Sequence, residues 1–200
     1  MALSSIGASL HEPFELGRGF SHAHLVQMTT GFPETDAAAD FARERRRQSL
    51  AMVASRLRVG RHSGAPMLRF DQVVAALGRA SEHDVGVRPI ALASIVGTVD
   101  RRSGDFDRLF RPRTDRLRGR WQRIAAARRR GETMPPIEVY RIGEVYFVID
   151  GHHRVSVARA QGDATIDAHI REVQTTTPAT DVWVPHPGSN AAALSLHAVR

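Results

Sequence analysis

The sequence predicts an α+β fold: a small mixed β-sheet with packed helices, preceded by a helical N-terminal region. Three features carry this expectation. Two runs of β-branched and aromatic residues, 137–142 and 145–150, are separated only by Gly143-Glu144. Glycine at the first central position suits a two-residue type II′ turn, so the pair reads as a hairpin. The second run ends at Asp150-Gly151, where a strand gives way to a helix, and Leu117, Trp121 and Ile124 recur at helical spacing.

Taken in order, residues 1–35 mix Gly, Ser, His and Pro without periodicity and read as a poorly ordered leader. A helix is expected from Asp36 to Arg58, with Phe41, Leu50, Val53 and Leu57 as its apolar side and Gly60 as its stop. Arg61 to Pro66 reads as a loop, and a second helix runs near Asp71 to Leu77 with Val73, Val74 and Leu77 facing inward. The linker is too long for the tight turn of a helix-turn-helix. These helices make up a region spanning 36–86. Val87 to Val99 is the first strand, and Asp100 to Arg113 is irregular, anchored by Phe106, Leu109 and Phe110. A helix from Asp115 to Arg130 ends at Gly131; Pro135-Pro136 then forces an extended entry into the hairpin. Arg154 to Gln161 is a short helix closed by Gly162, and Thr165 to Val173 is the last strand. The second unit is thus 87–173, and 174–200 reads as a loose tail.

Composition excludes several chemistries. Apolar residues make up 42% of the 200, but 27 of them are Ala, so the core is thinner than that fraction suggests. A chain this long still hides roughly 70% of its extended surface. There is no Cys, which rules out disulfides, thiol chemistry and cysteine-ligated metal centres, and makes a reducing, cytoplasmic compartment the natural expectation. No run of about 18 apolar residues is present, so no membrane partner is expected. All 28 basic residues are Arg. Without Lys there is no Walker-type phosphate loop and no Schiff-base chemistry.

The net charge of +7 is concentrated. Residues 101–130 hold twelve Arg against Asp105, Asp107 and Asp115, whereas 1–100 are nearly balanced and 131–200 are acidic. Such a band is either the footprint of a phosphate-rich partner such as DNA or a solvated helix face. Arg118, Arg120, Arg128, Arg129 and Arg130 are the candidate nucleic-acid contacts. Only Phe106, Phe110 and Trp121 interleave with the arginines as stacking surfaces.

Asp150-Gly151-His152-His153-Arg154 is the candidate site. Gly151 lets the chain turn sharply and lets an anion approach. The amides of His152, His153 and Arg154 would face that anion at the positive end of a helix, and Arg154 adds a planar fork for phosphate oxygens. Asp150, His152 and His153 are the candidate catalytic groups, with Asp150 able to accept a proton or hold a magnesium-bound water. The plainer alternative is a sharp turn with a capped helix and two surface histidines. Adjacent histidines lack the i, i+4 spacing of a helical zinc pair, and no metal site is assigned.

The stretch from about Arg88 to Val173 resembles the ParB/sulfiredoxin-type domain, and in particular short ParB-like proteins that have only the N-terminal domain. The resemblance rests on Pro89 through Gly97, on Asp105-Phe106-Asp107-Arg108, and on Pro135 through Arg154 with Val155-Ser156-Val157-Ala158. It implies a ParB/sulfiredoxin-like fold in which Gly151 to Arg154 bind nucleotide phosphates, with CTP or ATP and Mg²⁺ as the cofactor, DNA as a further partner and chromosome partitioning as the setting. A homodimer is compatible with this resemblance. The catalytic cysteine of sulfiredoxin falls at His152, so reductive repair of oxidised cysteine is excluded. Partitioning ParB proteins carry Glu-Arg-Arg where this chain has His152-His153-Arg154, and they continue into a helix-turn-helix domain, for which the 27 residues after Val173 leave no room. The Asp-Gly-His-His-Arg turn is similar to that of nucleotide-dependent free-serine kinases of the same fold, whose upstream carboxylate would be Asp100, Asp105 or Asp107. Three functions remain open: a nucleotide-binding ParB-like module, a small-molecule kinase or phosphodiesterase, and an interaction module that has lost its ligand.

Overall fold

The computed structural model describes residues 30–56, 67–100 and 103–177. Most of the expected leader and tail, the Arg61–Pro66 loop, Leu57, Arg101 and Arg102 lie outside them. The described chain is α+β, a six-stranded mixed sheet with four α-helices. The helices are α1 (Pro33–Arg56), α2 (Phe70–Leu77), α3 (Arg118–Arg129) and α4 (His152–Gln161). The strands are β1 (Leu68–Arg69), β2 (Ser81–Ala91), β3 (Ile95–Thr98), β4 (Ile137–Ile142), β5 (Val145–Asp150) and β6 (Thr165–Gln174).

Strand order is β1-β3-β5-β4-β6-β2. The β4–β5 hairpin at the centre is antiparallel, with Ile142 opposite Val145. Gly143 has φ +56° and Glu144 does not take a positive φ, as a type II′ turn requires. On one side β5 pairs in parallel with β3, and β3 with β1; on the other β4 pairs in parallel with β6, and β6 antiparallel with β2. Alternation along the strands sends residues to opposite faces. Ile137, Val139, Val148, Ala168 and Ile170 join Phe41, Trp121 and Val155 from α1, α3 and α4. Phe147, Val145 and Val173 join Phe70 and Leu77 of α2 in a second cluster.

Three expectations need correction. The first helix begins at Pro33, inside the expected leader, where Asp36 accepts hydrogen bonds from the Thr30 backbone N–H (2.9 Å) and hydroxyl (2.8 Å). These bonds, the backbone one foremost, and nearby Arg129 hold the Asp36 carboxyl below its ordinary range. Of the helix's expected apolar side only Phe41 is buried among the described residues. Leu50 and Val53 are exposed, while Asp36, Asp40, Glu44 and Gln48 are buried with Ala37, Phe41 and Ala51. Partners on α3 select that face, as set out below. The expected strand 87–99 is two strands separated by a 3-10 turn at Leu92–Ser94, and β2 starts at Ser81, inside the stretch expected to be helical. Its Ser81–Val85 segment is exposed or half-buried and carries a bulge between Asp84 and Gly86, which hides its strand pattern. The expected 115–130 helix opens with a 3-10 turn, Asp115–Leu117, before α3.

Candidate functional site

The turn at the end of β5 is shaped by steric demand as much as by polarity. Gly151 has φ +105° and is buried. A Cβ there would lie 2.5 Å from Ile137 Cγ2, so only glycine fits both the backbone angle and the neighbouring strand. α4 begins directly after it without a side-chain cap. The Val155 N–H closes on the Gly151 carbonyl at 3.0 Å. The amides of His152, His153 and Arg154 have no acceptor among the described residues. The geometry therefore leaves three backbone donors at the positive end of a ten-residue helix.

Arg154 is already engaged. Its Nη1 donates to the carbonyls of Pro135 (2.6 Å) and Pro136 (2.7 Å), and its Nη2 pairs with Asp150 at 2.6 Å. The Asp150 side chain is 63% exposed and that of Arg154 only 14%. The guanidinium thus ties the entry to β4 onto the start of α4. The sequence expectation of a fork open to phosphate meets one whose two terminal nitrogens already have partners.

The histidines are not surface residues. His152 Nε2 and the Thr98 hydroxyl share a 2.6 Å hydrogen bond, and Thr98 Oγ1 also accepts the Asp100 N–H at 2.9 Å. The His152 ring is flanked by Phe106 (6.2 Å) and Phe110 (6.1 Å), and His153 meets Phe106 edge-on at 5.2 Å. Burial pushes both imidazoles down. It outweighs the pull of Asp100, Asp150 and Asp105 on His152, and with Arg120 and His152 nearby it takes His153 to about 4. Both are neutral at pH 7. Their contribution to an anion is hydrogen bonding rather than charge, and His153 Nδ1 is buried without a partner.

The segment that covers them is held by Asp107. Its Oδ1 accepts the N–H groups of Leu109 and Arg111 at 2.9 Å each, and its Oδ2 accepts Arg111 Nε at 2.8 Å. Phe110 has φ +59°, an unusual angle for a bulky residue. Asp107 is thus a buried structural acceptor and is not available as the upstream base. Asp105 pairs with Arg116.

Six of the ten described arginines in the 101–130 band form ion pairs, among them Arg111 with Asp107 and Arg116 with Asp105. Arg118 pairs with Asp115, Arg128 with Asp163, Arg129 with Asp40 and Asp36, and Arg130 with Glu34 and Glu132. Arg129 points inward, its side chain 14% exposed, to acids 2% and 6% exposed. That pairing accounts for Asp36 and Asp40 on the inner face of α1, while Glu44 pairs with Arg47 of the same helix. Arg120 and Arg123 are exposed and form no ion pair with a described carboxylate. The interleaved aromatics Phe106, Phe110 and Trp121 are buried, so they offer no stacking platform. Among the described residues, no group of three or more His, Asp or Glu side chains could hold a metal ion, and no helix is long and apolar enough to cross a membrane.

Sequence reasoning passed over Thr98, Ser156 and Arg159. Ser156 Oγ accepts the Trp121 Nε1–H at 2.9 Å inside the core. Arg159 interrupts a run of small apolar residues, Val155 to Ala160, and that interruption was the available signal.

No family model matches this chain, and no curated protein matches it. Among solved structures, sulfiredoxin from Arabidopsis thaliana is similar at a TM-score of 0.33 and 19% identity, over 47% of this chain and 90% of that one.

Proposed function

We propose that this chain is a ParB-like protein that binds the phosphates of a nucleoside triphosphate at the start of α4 and associates with DNA. The observation that carries the reading is the uncapped N-terminus of α4. Three unspent amides follow a positive-φ glycine, beside two neutral imidazoles. Backbone donors at a helix start suit phosphate oxygens without any lysine. Arg154 holds the frame of this seat, and an arriving phosphate would compete with Asp150 for its Nη2. Asp150 is the exposed carboxylate at the turn, so a Mg²⁺ ion would be held mainly by the nucleotide, with Asp150 as its protein neighbour. That ion would supply charge neutralisation between carboxylate and phosphate.

A thermal-shift panel of CTP, ATP, GTP and ADP with Mg²⁺ tests this reading. At a hundred times its dissociation constant a nucleotide stabilises by about 2.7 kcal/mol, which raises the midpoint by several degrees for a chain of this size. A flat response to all four overturns the proposal.

The exposed position of Asp150 at the carboxyl end of β5 favours a second reading, a small-molecule kinase or phosphodiesterase with Asp150 as base. Turnover that is lost in Asp150→Asn while nucleotide binding survives would distinguish it.

A further inference from the structure

A cavity of about 270 Å³ opens between α1, the 106–113 segment and the second turn of α4. Its lining includes Glu44, Arg47, Phe110, Arg111, Ser156 and Arg159. The charges on its walls are unequal in their partners. Arg47 Nη1 is bound to Glu44 at 2.8 Å, and Arg111 is bound to Asp107. Arg159 has no ion pair with any described carboxylate, whereas Arg129, also largely buried, has two.

Arg159 Nη2 donates to the carbonyls of Leu92 (2.7 Å) and Ile95 (2.9 Å), and the guanidinium lies 5.1 Å from the Phe110 ring centre. Its Nε and Nη1 hydrogens have no acceptor among the described residues. The carboxylate that acts on it is Asp107, whose oxygens are already taken by Arg111 and two backbone amides. The hydroxyl of buried Ser156 accepts from Trp121, and its own hydrogen has no acceptor among the described residues either. A largely buried cation ordinarily has a counter-charge; Arg159 has none among the described residues, and the space beside it is a cavity that it lines together with Ser156.

We infer that this cavity binds a small oxyanion, a carboxylate or a phosphate, whose negative charge meets the guanidinium of Arg159 and the hydroxyl of Ser156. Its volume lies just under the range of pockets that take drug-sized ligands, which favours a small metabolite. Burial lowers the Arg159 pKa to about 10, as expected of a cation lacking its counter-ion, and it remains charged at neutral pH. This site is apart from the start of α4 and does not depend on nucleotide binding there.

The test is a titration of the full chain, labelled with ¹⁵N, with sodium phosphate and separately with sodium acetate, at constant ionic strength balanced by chloride. The Arg159 Nε–H resonance reports on the site. A saturable shift with phosphate or with acetate is the expected result, and the anion that produces it identifies the chemistry. Arg159→Gln, read through the backbone amides of Leu109 and Arg111 on the cavity wall, should weaken that binding at least tenfold. Leu109→Trp provides a second route, because Leu109 is 45% exposed and lines the cavity, so a larger ring there blocks entry without disturbing the core. Drift no larger than that with chloride, or binding unchanged in Leu109→Trp, overturns the inference.

Discussion

Arg129 near the end of α3 is ion-paired with the buried carboxylate of Asp40 in α1, 89 residues earlier in the chain. Asp36, one helical turn before Asp40, lies 3.9 Å from the same guanidinium. Above this contact Phe41 and Trp121 meet edge-on at 5.6 Å. The most basic of the described helices is therefore partly a docking surface for an acid-bearing helix of its own chain.

Breaking this contact should destabilise strongly. Arg129→Ala removes the cation shared by two buried acids, leaving Asp40 with Arg43 at 3.0 Å and Asp36 with its Thr30 hydrogen bonds, and removing one partner of a buried pair costs about 3–5 kcal/mol. Arg130→Ala, whose pairs with Glu34 and Glu132 are solvent-exposed, should leave the midpoint nearly unchanged. Urea denaturation of both variants makes the comparison; equal midpoints would refute an internal role for Arg129.

Two glycines with similar backbone angles should respond differently to alanine. At Gly131 (φ +78°) a Cβ meets nothing within 4 Å, so Gly131→Ala carries only the backbone penalty of about 1–2 kcal/mol. At Gly151 the same change also drives a Cβ into Ile137. Gly151→Ala should lower the thermal midpoint well beyond Gly131→Ala, and a ranking in the other order would show that the turn can relax.

Stability should fall on mild acidification. The folded-state pKa of His153 is about 4, whereas an unfolded histidine titrates near its ordinary value of about 6.5. Between these values the unfolded chain binds the proton and the folded one does not. The His153 contribution is therefore fully present above about pH 6.5 and lost progressively down to about pH 4. Burial of His152 acts in the same direction. An NMR titration of the His153 ring checks this directly, and an inflection near 6.5 would contradict its burial.

DNA binding, if it follows the proposed function, should run through the unpaired arginines. Neutralising Arg120 and Arg123 together should flatten the dependence of log K on log salt by about 0.9 for each phosphate contact removed. Asp163→Asn, which frees Arg128 from its carboxylate, should instead strengthen binding. No change in slope for the double variant would place any nucleic-acid contact elsewhere.

Arg154→Ala should lower stability before any ligand is considered. It releases the Pro135 and Pro136 carbonyls and the Asp150 carboxylate, and each hydrogen bond to a charged group contributes about 1.5–3 kcal/mol. A loss of nucleotide response in this variant thus counts only when its ligand-free midpoint is measured alongside. Arg154→Lys should recover little of the lost stability, because an ammonium cannot span the same three oxygens with planar geometry.

Much of the local architecture was legible in the residues alone. The β4–β5 hairpin occupies the expected boundaries, 137–142 and 145–150, because β-branched runs and the Gly143 turn act over a few residues. Gly151 and Gly162 stand at the two ends of α4, both in the left-handed region, where the sequence places its breaks. Leu117 and Trp121 are buried as their helical spacing implies. The inner face of α1 was not legible, because apolar periodicity points to Leu50 and Val53 while the partners of Asp36 and Asp40 lie about ninety residues away.

Local periodicity and turn chemistry settled which segments become strand or helix and where the chain turns sharply at Gly151. Tertiary structure decided which charges face solvent: Arg129 went inward, Arg154 became a tie to Pro135 and Pro136, and Arg159 was left beside a cavity with no ion pair to a described carboxylate. The reason is range. Secondary structure follows from neighbours within a turn or a strand, whereas the state of a charge depends on partners that only the packed chain brings within a few ångströms.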